Sequence, residues 1–189
     1  MLYNGHMSKL IIMTGDLATG KSTFSHILSE RYSVEVYNKD TLKEMLADTI
    51  GFKNREENLK LSHASIAFMT LLFEEHSKND VDLILEANFH KDEITKLYEI
   101  ASKNNTEILT LVFEADIDVL YERFRYRIEH ENRHPVHQSA GLKDIEKFEE
   151  YVMNSRKDVD IKEYITVNAN DFSYQEDEKL LKTIDEFMK

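Results

Sequence analysis

The chain has 189 residues, the length of one ordinary domain, and its 41% hydrophobic content is enough to bury a core and to exclude wholesale disorder. Its 36 acidic residues against 24 Lys and Arg leave a net charge of −12. That balance argues against a protein that coats nucleic acid or lies on an anionic membrane, while leaving room for one local basic site. With no cysteine, disulfides, thiolate nucleophiles and Cys–zinc sites are excluded. The longest apolar runs, such as Leu10–Met13 and Leu83–Leu85, are far too short to span a bilayer, and no signal segment opens the sequence. The expectation is a cytoplasmic protein with no membrane association. Gly5-His6-Met7 matches a common cloning junction, so residues 1–7 are set aside as a cloning remnant or disordered start, leaving 8–189 as a single domain.

The elements alternate along the chain. Lys9–Met13 is a short apolar run that reads as a buried strand, followed by Phe24, Ile27, Leu28 and Tyr32 at helical spacing. Val34–Tyr37 alternates as a second strand. Leu42, Met45, Leu46 and Ile50 form a helical stripe that stops at Gly51. Residues 56–78 read as one long helix with Leu59, His63, Ile66 and Thr70 on one side, and Val81–Leu85 as a third strand. A helix through Ile94, Leu97, Tyr98 and Ala101 leads to a fourth strand at Ile108–Phe113. Residues 117–130 are helical, and a polar stretch holding the only proline, Pro135, runs to Gly141. Ile145, Phe148 and Val152 give another helix. Tyr164–Val167 gives a weak fifth strand, and Leu181, Ile184, Phe187 and Met188 a closing helix. Strands alternating with helices predict an α/β protein of three layers, a five-stranded parallel sheet with helices on both faces.

The strongest chemical signal is Gly15-Asp16-Leu17-Ala18-Thr19-Gly20-Lys21-Ser22, the G-x-x-x-x-G-K-S pattern of a phosphate-binding loop, set between a buried strand and an amphipathic helix. Glycines let the backbone curl so that its N–H groups point inward at a polyphosphate, and the helix N-terminus adds positive potential. Residues 15–23, ending at Thr23, are therefore expected to bind nucleotide, with Lys21 on the β- and γ-phosphates and the Ser22 hydroxyl on Mg²⁺.

In an open parallel sheet, ligands gather outside the carboxyl ends of the strands. Asp40 follows strand two at that edge, where it can accept a proton from an attacking hydroxyl or, more blandly, cap the helix starting at Thr41. Glu86 follows strand three, placed to hold a Mg²⁺-bound water or orient an acceptor, and Asn88 can hydrogen-bond either ligand. Arg123 and Arg127 share one helical face and suit the charge of a transferring phosphoryl group, whereas Arg125 reads as a solvated helix charge. Arg133 begins a polar stretch that reads as a lid, taken with the arginines as 123–141. The eight histidines form no metal-binding spacing, and His63 is a weak candidate to line an acceptor pocket.

GDLATGKS, YNKDTLK, LILEANF and the arginines from Arg123 to Arg133 together resemble the small P-loop kinases, closest to the zeta-toxin, chloramphenicol phosphotransferase and polynucleotide 5′-hydroxyl kinase branch. The resemblance implies Asp40 as the base, Glu86 as a ligand to Mg²⁺ or substrate, Arg123 and Arg127 on the phosphates, and an adenine pocket near Asn168–Asn170. Lys43 stands where polynucleotide kinases of this type often carry an Arg, three residues past the Asp, and would contact the acceptor. The expected reaction is transfer of the γ-phosphoryl group of Mg·ATP to a hydroxyl of a small molecule. A polynucleotide 5′-hydroxyl kinase, which fits poorly with the net charge, and a non-catalytic nucleotide-binding switch stand as alternatives. Oligomeric state is left open.

Overall fold

The computed structural model describes residues 7–142, 144–158, 161 and 163–189. Residues 1–6 of the segment set aside at the start lie outside this range. Five strands, β1 (Lys9–Gly15), β2 (Glu35–Asn38), β3 (Leu83–Glu86), β4 (Glu107–Glu114) and β5 (Ile165–Asn168), form one sheet in the order β2-β3-β1-β4-β5. Every pairing is parallel, from Leu10 opposite Leu83 on one side of β1 to Leu10 opposite Ile108 on the other. Each crossover therefore carries a helix: α1 (Lys21–Tyr32), α2 (Lys39–Ile50), α3 (Arg55–Lys78), α4 (Lys91–Asn104), α5 (Ile117–His130), α6 (Ile145–Lys157) and, after β5, α7 (Glu178–Met188). Two 3₁₀ turns, Pro135–Ala140 and Ser173–Glu176, lie in the connections. The strands and helices read from the sequence are all present, with ends shifted by a few residues.

The central strand explains the three layers. Ile11 and Met13 project to one face, where Phe24 and Leu28 of α1, Phe124 of α5, Phe148 of α6 and Ile184 of α7 meet them. Leu10 and Ile12 project to the other, against Met69 and Phe73 of α3 and Ile94 and Leu97 of α4. Burying each of these large side chains contributes about 1.5–3 kcal/mol.

Two helix faces depart from the sequence reading. On α2 the expected stripe is largely outward: Met45 is 52% and Ile50 70% exposed, and the buried positions are Lys43 and Ala47. The reason is that α2 packs mainly on α3, meeting the sheet only at edge strand β2 and through Leu42, so Ala47 joins Leu61 and Val136 in a small separate cluster. On α3, Ile66 and Thr70 are buried as expected, but the buried row runs through Asn58, Leu61, Ser65, Ile66, Met69 and Phe73, leaving Leu59 and His63 in the open. The first half of this helix thereby presents Leu59, Ser62 and His63 to a cleft at the carboxyl edge of the sheet. Among the described residues no helix is long and apolar enough to cross a membrane.

Candidate active site

The cleft has a volume of about 940 Å³ and is walled by the 17–23 loop, α2, the first half of α3, the ends of β3 and the α5 face. It opens where β1, β2 and β3 end, as expected for a parallel sheet.

The loop after β1 is shaped by its glycines. Gly15 has φ +112°, and a β-carbon there would run into the Phe113 carbonyl of the neighbouring strand. Gly20 has φ +87°, and a β-carbon would lie 2.6 Å from the Tyr174 hydroxyl and 2.9 Å from the Phe172 ring. Lys21 opens α1 and folds back over the loop, donating to the carbonyls of Asp16 and, at 3.3 Å, Gly15, and to Thr19 Oγ1 at 3.2 Å. Burial pushes its ammonium below the usual lysine range, and the carboxylates of Glu86, Asp16 and Asp40 oppose that shift.

Ser22 Oγ donates to Glu86 Oε2 at 3.0 Å and receives a bond from Asn38 Nδ2 at 3.2 Å. Glu86 is 94% buried at the end of β3, and that burial raises its carboxyl above the usual range, against the pull of Lys21. A buried carboxylate beside a hydroxyl is an oxygen-only donor set, which fits a hard cation such as Mg²⁺.

Asp40 occupies the first turn of α2 with its side chain 57% exposed. It does not cap the helix. Asn38 does, accepting from Thr41 N at 3.0 Å, because the helix starts two residues earlier than the sequence pattern places it. His137 Nδ1 lies 4.0 Å from Asp40, while its Nε2 meets Glu44 at 2.7 Å. The 134–137 segment read as a lid is docked in this structure: His134 pairs with Asp48 at 3.0 Å, and Asn58 Nδ2 holds the Val136 carbonyl at 2.8 Å.

The arginines divide. Arg127 reaches the cleft, bonded to Glu131 at 3.1 Å, and its charge is felt by Lys21. Arg133, half-buried, lines the same wall, with its guanidinium pushed down by burial and by Arg127. Arg123 lines the cleft too, but its guanidinium is engaged: it donates to the carbonyls of Ala169 at 2.6 Å and Asn170 at 2.9 Å and stacks 4.3 Å over Phe172. It thus braces the loop after β5, where the adenine pocket is expected, rather than the phosphate loop. Arg125 pairs with Glu129 on the outer surface. Lys43 and Asn88 also line the cleft, so Lys21, Ser22, Asp40, Lys43, Glu86, Asn88, Arg127 and Arg133 come together.

The profile of the family described as AAA domain matches residues 10–151. The chain belongs to the AAA-domain family. Among solved structures, a Chloroflexus aurantiacus protein provisionally described as a kinase is 25% identical with a TM-score of 0.82, covering 97% of this chain and 100% of that one. The Deinococcus radiodurans tunicamycin resistance protein shares the fold at 16% identity and a TM-score of 0.61, covering 94% of this chain and 95% of its own. A tRNA dimethylallyltransferase of Flavobacterium psychrophilum is 33% identical over 106 residues, which are 54% of this chain and 31% of that protein. The chain thus spans under a third of the length of that curated relative.

Two braces of the phosphate loop in this AAA-domain protein lie outside the matched span. Asp16, expected to serve nucleotide, turns its carboxylate inward: Arg156 of α6 grips it through Nε at 3.1 Å and Nη2 at 2.6 Å, and Ala115 N donates to it at 3.2 Å. Tyr174 donates to the Thr19 carbonyl at 2.8 Å. Neither partner is visible in the sequence, because each pairing joins residues 140 or more apart with no motif linking them. Asp16 is buried, so Arg156→Ala should leave an uncompensated charge and cost about 3 kcal/mol, the low end for breaking such a pair. Urea unfolding should show a lower midpoint, and an unchanged midpoint would make the pair dispensable.

Proposed function

We propose that the chain is an ATP- and Mg²⁺-dependent phosphotransferase that moves a γ-phosphoryl group to a hydroxyl of a small molecule. The observation that carries this reading is the convergence of Asp40, Glu86 and Arg127 with the phosphate loop on one cleft. A protein that merely binds nucleotide needs the loop alone, and a net charge of −12 disfavours a nucleic-acid acceptor.

The backbone amides of 15–22 and the N-terminus of α1 hold the phosphates. Lys21 exchanges its bonds to the loop carbonyls for phosphate oxygens. Ser22 and Glu86 would hold Mg²⁺, which when bound supplies charge neutralisation at the β- and γ-phosphates. Asp40 orients the acceptor hydroxyl and takes its proton as the oxygen attacks phosphorus. Lys21 and Arg127 balance the charge that shifts toward the leaving ADP. Arg123 and Phe172 border the base-binding end, and the docked 134–137 segment limits water entry.

The test is transfer of labelled γ-phosphate from ATP into a metabolite extract supplemented with a 5′-hydroxyl oligonucleotide, with products separated by size. Label in a small product is expected. Label on the oligonucleotide would replace the acceptor class, and label in free phosphate alone would count against a kinase.

A further inference from the structure

The acceptor half of the cleft carries a feature that phosphoryl transfer to a neutral alcohol does not require. Lys39 and Lys43 sit one turn apart on α2 and line the cleft together with Ser62 and His63 of α3. Lys43 is 91% buried on the helix that packs on α3. Among the described residues neither lysine makes a hydrogen bond or an ion pair, and the charges acting on Lys43 are Lys39, which opposes its protonation, and Asp40, which favours it. Burial lowers the Lys43 ammonium below its usual range as well.

Three of the other cations that line the cleft are engaged with the protein itself. Lys21 lies on the loop carbonyls, Arg123 on Ala169 and Asn170, and Arg127 on Glu131. In a chain with 36 acidic side chains, two ammonium groups without a hydrogen-bonded partner on the wall of one cleft form an anion trap beside Asp40.

We infer that Lys39 and Lys43 form an anion subsite, so that the acceptor is a small hydroxylated molecule that also carries a carboxylate or phosphate group. This rests on the proposed phosphotransferase reading and narrows its substrate class. Salt-bridging to Lys43 fixes the acceptor along α2 and brings its hydroxyl to Asp40, three residues away on the same helix. Ser62 and His63, which line the same cleft, supply further polar contacts.

The experiment is a titration of the ¹⁵N-labelled protein, saturated with Mg·ADP, followed through the amides of residues 39–43 and 62–63. Malonate serves as the carboxylate probe, inorganic phosphate as the phosphate probe and glycerol as the neutral control. One of the two anions is expected to produce saturable shifts, weakened at least about tenfold in Lys43→Met and in Lys39→Met, with ADP affinity and thermal unfolding unchanged. The anion that binds more tightly identifies the acceptor's charged group.

The inference fails if neither anion shifts these amides, if glycerol does so equally well, or if the shifts survive in Lys43→Met, which would place the anion on the phosphate loop. Saturable binding of a 5′-hydroxyl oligonucleotide at these amides with a steep salt dependence would also overturn it. A protein that does not bind ADP at all would count against the phosphotransferase reading itself, a separate result seen before any anion is added.

Discussion

Replacing Lys21 by Ala should reduce phosphoryl transfer by at least about a thousandfold, the upper range for deleting one preorganised donor at a developing charge. That is about 4 kcal/mol of lost transition-state stabilisation. The fold should survive. Lys21 contributes bonds to the Asp16 and Gly15 carbonyls, but its burial works against the charged form, so its removal relieves a desolvation cost as it deletes those bonds. Circular dichroism and the thermal midpoint should therefore change little while steady-state turnover disappears. Turnover equal to that of the unmodified protein would remove the phosphate loop from the mechanism.

Asp40→Asn is the second large effect. The amide keeps the size and polarity of the side chain, and Asn38 rather than Asp40 caps α2, so neither the helix nor the loop should be disturbed. ATP affinity should hold while transfer falls at least about a hundredfold, the lower range for a general base. Single-turnover kinetics beside equilibrium ATP titration separates the two quantities. A loss of affinity with unchanged chemistry would reassign Asp40 to holding the nucleotide or its cation.

The sequence carried the architecture because its signals are local. The apolar run at β1, the glycine pattern after it and the alternation of strand and helix need no knowledge of distant residues. Asp40 and Glu86 were legible for the same reason, since a residue just after a strand of a parallel sheet lands at the ligand edge whatever else surrounds it. The α2 stripe was misread because burial there is set by what the helix meets. Met45 and Ile50 have the spacing of a core face, but α2 packs mainly on α3 and meets the sheet only at its edge, and the buried positions became Lys43 and Ala47. The destination of Arg123 was hidden likewise: helical spacing put it beside Arg127, but the carbonyls that attract it belong to a loop 46 residues further on. His137 lay within the polar lid stretch, and nothing nearby marked it as the partner of Glu44 and Asp40.

The grip of Arg156 and Tyr174 on the loop also bears on the order in which this protein becomes competent. The G-x-x-x-x-G-K-S motif is local in sequence, yet the residues that hold Asp16 and Thr19 in place lie 140 and 155 positions further on. A nascent chain displaying every motif residue would still lack the two supports that fix the loop's shape. Such distant pairings raise the contact order of the fold, which slows folding relative to a loop held by local contacts alone. The shape of the loop is thus a property of the whole domain rather than of the motif alone.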